Sequence, residues 1–350
     1  MLKAITVRNL TVFPRADLEC ARHLNVIVGE NGSGKTHLLK IAYALLAVSA
    51  DEGRRLTPAP TSQAVLQVRV ADKLVKVFRP EHLGHLVHRN REANPICAVE
   101  VRLDSPGMDV EFVFRKDSES EVEVRKVPAE WSPAVPVYLP TRELLSIYPN
   151  FVSVYEGRYL EFEETWRDTC VLLGAPLQKG LQEERNRELL RPFEQAMGGS
   201  LELDKNGRFY LKLNGNRLEI PLVAEGFRKM GMLARLIANG TFSGGGYLFW
   251  DEPDANLNPK LVKQVAESIL SLCWAGIQTF VATHSLFLLR ELEILLSSDR
   301  FRSLETRFFG LHRTGAGARV QQGSTVGDIG DIAALDEQLE QSDRFLAKER

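Results

Sequence analysis

A glycine-rich octapeptide near the N-terminus carries residues that could do chemistry. It reads Gly29-Glu30-Asn31-Gly32-Ser33-Gly34-Lys35-Thr36 and fits the pattern GxxxxGK[ST]. An apolar run, Leu24 to Val28, precedes it, and a helical run, Thr36 to Val48, follows it. The pattern predicts a phosphate-binding loop between a strand and a helix. A glycine-rich turn with a chance lysine would also match the octapeptide, but the two flanks favour the loop.

Each polar or glycine position in this loop has a chemical reason. Gly32 and Gly34 lack a Cβ, so the backbone can turn tightly and direct its N–H groups at phosphate oxygens. The positive end of the following helix strengthens the same field. Lys35 is placed to reach the outer phosphates, and the Thr36 hydroxyl is placed to bind Mg²⁺.

A second site element lies more than two hundred residues downstream. The apolar strand Tyr247 to Trp250 ends in Asp251 and Glu252. A carboxylate at the end of a buried strand can hold the water shell of Mg²⁺, which assigns Asp251 to the metal. The next carboxylate, Glu252, is the candidate base that polarises an attacking water. Two ordinary surface acids would be the commoner explanation, but the phosphate loop upstream disfavours it.

A turn and a histidine complete the constellation. The turn Pro253 to Pro259 contains Asp254 and leads into a helix. The apolar strand Phe280 to Ala282 then ends at a threonine followed by His284. A histidine at that strand end can reach a γ-phosphate or the attacking water. A lone histidine is usually structural, but the order of the other motifs favours the functional interpretation.

The segments GENGSGKT, YLFWDEPDANLNP and VATHS together resemble the ABC-type ATPase superfamily, and most closely its soluble SMC, RecF and OLD-like branch. The resemblance implies an α/β P-loop NTPase with a mixed central sheet, an antiparallel β N-lobe and a helical lobe. We expect a single head over residues 1–350. The phosphate loop and β lobe would occupy 1–140, the helical lobe 141–200, the signature, Asp251–Glu252 and histidine core 201–315, and a tail 316–350.

The resemblance also implies an activity. ATP with Mg²⁺ would lie between the phosphate loop of one copy and the signature motif of a second. Glu252 would be the catalytic carboxylate, His284 the switch histidine, and Asp254 part of a loop that crosses the dimer interface. We therefore expect an ATPase that acts as a homodimer or a higher homo-oligomer.

Two departures from the family pattern concern the second half of that site. The signature usually reads LSGGQ, and the best candidate is Val223 to Lys229, which keeps Gly226 but has Ala224 in place of a serine. Arg228 or Lys229 would have to substitute for the serine hydroxyl. The usual glutamine after Leu139 is also missing, which leaves Arg142 or Glu143 to replace it. Both changes predict slow or conditional hydrolysis.

Three functions fit these motifs. The first is an ATP-driven switch that controls a separate effector protein, in the manner of stand-alone ATPase subunits of bacterial anti-phage systems such as PARIS. The second is a DNA repair or recombination ATPase of RecF or SMC type, which leaves a nucleic-acid partner open. The third is a scaffold that binds ATP without hydrolysing it, which Ala224 favours. A transporter subunit is disfavoured by the poor signature.

Composition limits the class of protein to which the chain can belong. The chain has 350 residues, 44% of them hydrophobic, and a formal net charge of −2, so any basic surface must be local. The cysteines, Cys20, Cys97, Cys170 and Cys273, form no CxxC pair. The N-terminus lacks the apolar run of a signal peptide, and no stretch is long enough to span a bilayer. We expect a cytoplasmic protein without a membrane partner.

The elements around the site follow from periodicity. Strands are predicted at Leu2–Val7, at Ala64–Phe78, at Ala98–Leu103 and in a hairpin over Val110–Val127, followed by helices over Asn150–Met197, further hairpins over Ser200–Leu222 and a helix over Phe227–Ala238. The tail from Leu335 is predicted to be a terminal helix or a frayed end. His82, His85 and His88 are spaced for a metal site, but an exposed polar helix is the commoner explanation.

Overall fold

The computed structural model describes residues 1–89, 94–105, 107–157, 161–179 and 181–348. Its strands are β1 (Leu2–Leu10), β2 (Phe13–Glu19), β3 (Leu24–Gly29), β4 (Ile96–Leu103), β5 (Val110–Arg115), β6 (Glu123–Lys126), β7 (Pro136–Leu139), β8 (Ser200–Leu203), β9 (Phe209–Leu213), β10 (Asn216–Glu219), β11 (Gly246–Asp251), β12 (Ile277–Thr283), β13 (Thr306–Thr314) and β14 (Gly317–Gly323). Its helices are α1 (Lys35–Gly53), α2 (Gln63–Phe78), α3 (Tyr148–Glu156), α4 (Glu164–Gly174), α5 (Leu181–Met197), α6 (Glu225–Ala238), α7 (Pro259–Trp274), α8 (Leu286–Leu296) and α9 (Ala333–Lys348).

A mixed sheet forms the centre of the fold, in the order β14-β13-β3-β12-β11-β7. Its neighbouring strands run parallel, apart from the antiparallel pair β13–β14. The strands β3, β11 and β12 are buried along their whole length, as strands covered on both faces are. Because these three strands are parallel neighbours, their carboxyl ends reach one edge of the sheet. The predicted mixed central sheet is confirmed.

The antiparallel β lobe is a second sheet, in the order β2-β1-β4-β5-β6. Every pair in it is antiparallel. The predicted hairpin is present as β5 and β6, and Phe112 and Phe114 are both buried in it. The apolar face of this sheet shares a core with α1 and α2, so the lobe packs directly on the helix that follows the glycine-rich loop.

The strand predicted at Ala64–Phe78 is wrong, because this segment is helix α2. Leu66, Val70, Leu74 and Val77 are all buried, and their spacing is that of one helical face. Ser62 caps the helix by accepting a hydrogen bond from the Val65 amide at 3.4 Å. The apolar positions of this segment that suggested a strand also fit the period of a helix. The cap and the packing against α1 decide between them.

The helical lobe contains α3, α4 and α5, which confirms the mainly helical prediction for Asn150–Met197. Within that range, Phe162 lies before the first residue of α4 and is not helical. A small antiparallel sheet, β10-β9-β8, follows the lobe and confirms the predicted hairpins. The terminal helix predicted from Leu335 lies in α9, whereas Gly317–Gly323 of the predicted tail 316–350 forms strand β14 of the central sheet.

The histidines of the segment 81–89 do not lie on a polar helix. The segment contains only a short 3₁₀ turn, Leu83–Leu86. His88 is buried, and its two ring nitrogens lie 2.7 Å and 3.1 Å from the carbonyl oxygens of Thr11 and Ala316. The described residues contain no cluster of three or more His, Cys, Asp or Glu side chains suited to a metal ion. Within the same residues, no helix is long and apolar enough to span a bilayer.

Candidate functional site

The glycine-rich loop joins the end of β3 to the start of α1, as predicted. Gly32 and Gly34 have φ values of 77° and 97°, in the left-handed region that favours glycine. A Cβ on Gly34 would lie 2.5 Å from the Phe13 ring, so only glycine fits between the loop and β2. The Ser33 amide donates to the Glu30 carbonyl at 3.2 Å and closes the turn.

Lys35 is held inside the loop. Its Nζ donates to the carbonyl oxygens of Gly29 at 2.9 Å and Glu30 at 3.3 Å. The same nitrogen lies 3.1 Å from Oε1 of Glu252, and only 6% of the lysine side chain is exposed. The backbone carbonyls and the carboxylate therefore fix the ammonium group where the loop curves around it.

Thr36 and Asp251 meet across the two motifs. The Thr36 hydroxyl donates to Oδ2 of Asp251 at 2.7 Å. Burial raises the pKa of Asp251, and the Thr36 hydroxyl opposes part of that rise. Two buried oxygens here, Oδ1 of Asp251 and Oγ of Ser33, have no hydrogen-bond partner in the described chain. Hydroxyl and carboxylate oxygens are the ligands that Mg²⁺ prefers, so this residue set fits the metal.

Glu252 follows the end of β11 in a left-handed conformation, with φ 48°. Its amide donates to the Ala282 carbonyl on β12 at 2.8 Å, which ties this turn to the neighbouring strand. The carboxylate lies between Lys35 and His284, with Oε1 facing Lys35 and Oε2 lying 2.9 Å from Nδ1 of His284. Burial alone raises the pKa of Glu252, but the contacts with His284 and Lys35 outweigh it and hold the pKa below its usual value.

His284 is the outermost member of this group, with 43% of its side chain exposed. Its contact with the Glu252 carboxylate raises its pKa above the ordinary value. On the same strand end, the Thr283 hydroxyl donates to Oδ1 of Asp254 at 2.7 Å. The structure thus brings Lys35, Thr36, Asp251, Glu252, Asp254 and His284 into one group at the carboxyl edge of the central sheet.

Gly226 has different surroundings. It lies in the first turn of α6, where a Cβ would come within 2.7 Å of Leu261 and 2.8 Å of Leu257. Glycine at this position therefore lets the leucines at and before the start of α7 pack closely on α6. Ala224 is the N-cap of α6 and contributes no side-chain hydrogen bond.

The two basic residues after Gly226 were expected to replace the missing serine, but both side chains bind their own chain. Nε of Arg228 lies 3.1 Å from Oε1 of Glu143, and the Glu143 side chain is only 7% exposed. Lys229 is fully buried, and its Nζ donates to the Ala255 carbonyl at 2.6 Å. In this conformation neither side chain is free for a second copy, and Glu143 is engaged with Arg228.

Sequence reasoning missed three contacts of the site. The Tyr138 hydroxyl lies 3.4 Å from Asp251, Arg228 pairs with Glu143, and Lys229 holds the turn after β11. Tyr138 looked like any apolar position of a buried strand. The sequence gave a weak indication that Lys229 is buried, because it directly precedes Met230 in the apolar stretch of α6. Nothing in the sequence indicated its carbonyl partner.

One family model matches part of the chain in sequence. A family described as "AAA domain, putative AbiEii toxin, Type IV TA system" matches residues 143–290, a segment that includes Asp251, Glu252 and His284 but begins after the glycine-rich loop. No curated protein matches the chain in sequence.

Solved structures resemble the chain over nearly its whole length. An Smc head domain with an extended coiled coil, bound to the C-terminal domain of ScpA and derived from Pyrococcus furiosus, has a TM-score of 0.57 at 14% identity and covers 100% of this chain and 99% of its own. An SmcHead bound to the C-winged helix domain of ScpA has a TM-score of 0.59 at 13% identity. The match covers 93% of this chain and 98% of the SmcHead chain. At such low identity the likeness establishes the fold, which is that of an ABC-type head. Together with the matched family, this fold supports the ABC-type, SMC-like recognition made from the sequence, and the anti-phage context stays a prediction.

Proposed function

We propose that this ABC-type, SMC-like AAA ATPase hydrolyses ATP, and that ATP binding brings two copies of the head together. The observation that carries the proposal is the position of Glu252. Its carboxylate lies between Lys35 and His284, directly beside the Thr36–Asp251 pair. A base, a cation for phosphate oxygens and a set of Mg²⁺ ligands therefore meet at one sheet edge, which is the requirement for phosphoryl transfer to water.

The loop residues would bind the phosphates. The backbone amides of the loop residues Gly29, Glu30, Asn31, Gly32, Ser33, Gly34, Lys35 and Thr36 would donate to phosphate oxygens, and the positive end of α1 would add to the same field. Lys35 would exchange its two backbone carbonyls for phosphate oxygens. A groove of about 450 Å³ beside Gly32, lined in part by Thr11, His37 and Phe78, leaves room for the nucleoside.

Hydrolysis would depend on Glu252. Because its pKa is held below the usual value, its carboxylate is ionised at neutral pH and can accept a proton from water. His284 would keep the carboxylate oriented, since it contacts the oxygen that Lys35 does not. Thr36 and Asp251 would hold Mg²⁺, which would neutralise part of the phosphate charge.

A second copy would complete the site. By the family resemblance, the start of α6 with Gly226 and the turn with Asp254 would face the nucleotide of the other copy. Ala224 provides no hydroxyl there, which supports slow hydrolysis. The same residue favours the alternative of a scaffold that binds ATP without hydrolysing it.

We further propose that closure of the dimer controls a separate effector protein in anti-phage defence. The description of the matched family as a putative toxin of a toxin–antitoxin system supports a role alongside a second protein. The alternative is a DNA repair ATPase of RecF or SMC type that acts on nucleic acid, which the SMC-head fold supports.

Light scattering after size-exclusion chromatography tests the proposal. Glu252→Gln retains the binding groups but lacks the base, so ATP with Mg²⁺ should trap it as a larger assembly. Lys35→Ala should show no such increase in mass, because it lacks the ammonium group that would bind the phosphates. If Glu252→Gln has the same mass with and without ATP, the hypothesis that ATP drives dimerisation is wrong. The nucleotide would then act within an oligomer that forms without it, or as a structural ligand.

A further inference from the structure

Tyr138 lies beside the proposed metal site, although the ATP chemistry described above assigns no task to it. It belongs to β7, which runs parallel to β11 and pairs Tyr138 with Phe249. Only 1% of Tyr138 is exposed, and its hydroxyl donates to Oδ2 of Asp251 at 3.4 Å. A polar group of a buried strand therefore reaches the carboxylate that would hold Mg²⁺.

The hydroxyl of Tyr138 is not needed for packing. The core around this ring is apolar and includes Phe249 and Phe280, so a phenylalanine would fill the same space without a polar atom to bury. Burial of a hydroxyl costs free energy unless the hydroxyl is hydrogen-bonded. Within the described residues, its hydrogen-bond acceptor is the Asp251 carboxylate. The phenol is thus satisfied by the proposed metal ligand and not by a backbone group.

Contacts with α1 and α4 fix the ring of Tyr138. Tyr43 of α1 meets it edge to face, with the two ring centroids 5.4 Å apart. The Tyr43 hydroxyl in turn donates to Oδ2 of Asp168 on α4 at 2.7 Å. The Thr169 hydroxyl, also on α4, donates to the backbone carbonyl of Tyr138. These contacts hold both the backbone and the ring, so the Tyr138 hydroxyl keeps its direction towards Asp251.

The two carboxylate oxygens of Asp251 have different surroundings. Oδ2 accepts hydrogen bonds from the Thr36 hydroxyl at 2.7 Å and from the Tyr138 hydroxyl at 3.4 Å. Oδ1 is buried and has no hydrogen-bond partner within the described chain. Two donors on one oxygen restrict rotation of the carboxylate and leave the other oxygen for a ligand. A buried carboxylate oxygen without a partner is costly unless a donor or a cation binds it.

We propose that Tyr138 is a positioning residue for Asp251, and that its hydroxyl holds Oδ2 so that Oδ1 is presented to Mg²⁺ or to a water bound to Mg²⁺. Tyr138 acts only through Asp251, because its hydroxyl is bonded to that carboxylate. Loss of a group that orients a metal ligand in this way typically weakens metal binding about 10–100-fold. The inference rests on the proposed function, in which Asp251 binds the metal.

The test measures how far Mg²⁺ tightens the binding of a nucleotide, without any hydrolysis. The probe is mant-AMP-PNP, a fluorescent ATP analogue that is not hydrolysed, titrated against the full-length protein in EDTA and in saturating Mg²⁺. Tyr138→Phe removes only the hydroxyl. Its affinity in EDTA should equal that of wild type, because the loop residues bind the phosphates. The factor by which Mg²⁺ tightens binding should fall about tenfold, because the metal is held less well.

Tyr247→Phe is the matched control, since Tyr247 is a buried tyrosine of the same core, and it should keep the wild-type factor. Tyr43→Phe loosens the support of the Tyr138 ring and should lower the factor by a smaller amount.

A wild-type factor in Tyr138→Phe, with or without a general loss of affinity, overturns the inference and leaves the proposed function standing. If Tyr138→Phe does not fold, a wild-type factor in Tyr43→Phe overturns the inference in the same way. If wild type binds no nucleotide, or binds it no more tightly with Mg²⁺, the proposed ATP and Mg²⁺ site is itself wrong and the inference fails with it.

Discussion

The carboxyl edge of the central sheet and the start of α6 hold their charged groups in opposite ways. At the sheet edge, the Glu252 carboxylate lies 3.1 Å from Nζ of Lys35 and 2.9 Å from Nδ1 of His284. At the start of α6, Arg228 and Lys229 bind the chain itself, through Glu143 and the Ala255 carbonyl. The first region is the one that we propose binds ATP, whereas the second ties the start of α6 to the turns after β7 and β11. This contrast suggests that the first half of the proposed site is complete within one chain and that the second half needs rearrangement or a second copy.

Removing the base should give the largest effect. We expect Glu252→Gln to lower the ATP turnover number about 10²–10⁴-fold, the usual contribution of a general base. Glu293→Gln, an exposed change on α8, should leave turnover unchanged and serves as the control. A steady-state phosphate-release assay measures both. Equal turnover in wild type and Glu252→Gln would remove Glu252 from the chemistry.

Breaking the internal pair at α6 tests whether that region is held by it. Arg228→Met leaves Glu143 buried without its cation, and we expect a loss of about 1–3 kcal/mol in the free energy of unfolding. The double variant Arg228→Met/Glu143→Leu should recover part of that loss, because no charge remains buried. Denaturant unfolding of the two single variants and the double variant measures the coupling. Additive losses would show that the pair contributes nothing as a pair.

The buried lysine predicts a pH dependence. Burial lowers the pKa of Lys229 below its ordinary value of 10.5, so the folded state binds fewer protons than the unfolded state between those two values. Wild-type stability should therefore rise relative to Lys229→Met as pH increases from neutral towards 10.5. Thermal unfolding of both proteins across that range measures the difference. A constant difference would show that the charge of Lys229 carries no penalty in the folded state.

The smallest effect is expected at the N-cap of α6. Ala224→Ser supplies a hydroxyl that can cap the helix, and we expect a gain of about 0.5–1 kcal/mol in the free energy of unfolding. If Ala224 also limits the second half of the ATP site, the same variant should hydrolyse ATP faster. Unfolding and turnover measured together separate the two effects. A more stable protein with unchanged turnover would confine Ala224 to the helix cap.

Much of the fold and of the sheet-edge site could be predicted, because both depend on local patterns. Each site residue follows or ends a buried strand. Gly32 and Gly34 lie in the loop after β3, Asp251 ends β11 with Glu252 next to it, and His284 follows β12. Parallel neighbours bring such strand ends together without further information. Helix α2 was mistaken for a strand because its apolar positions fit both periods, and only its packing against α1 resolves the ambiguity.

The sequence by itself determined the glycine-rich loop, the order of the strands that feed the site, and the identity of Lys35, Thr36, Asp251, Glu252 and His284 as one chemical set. Only the tertiary structure decided which side chains are free. Arg228 or Lys229 was expected to substitute for the signature serine, yet Arg228 pairs with Glu143, 85 positions earlier in the sequence, and Lys229 binds a carbonyl of the turn after β11. The physical reason is that desolvation of a charge depends on every element packed around it, which no local pattern records.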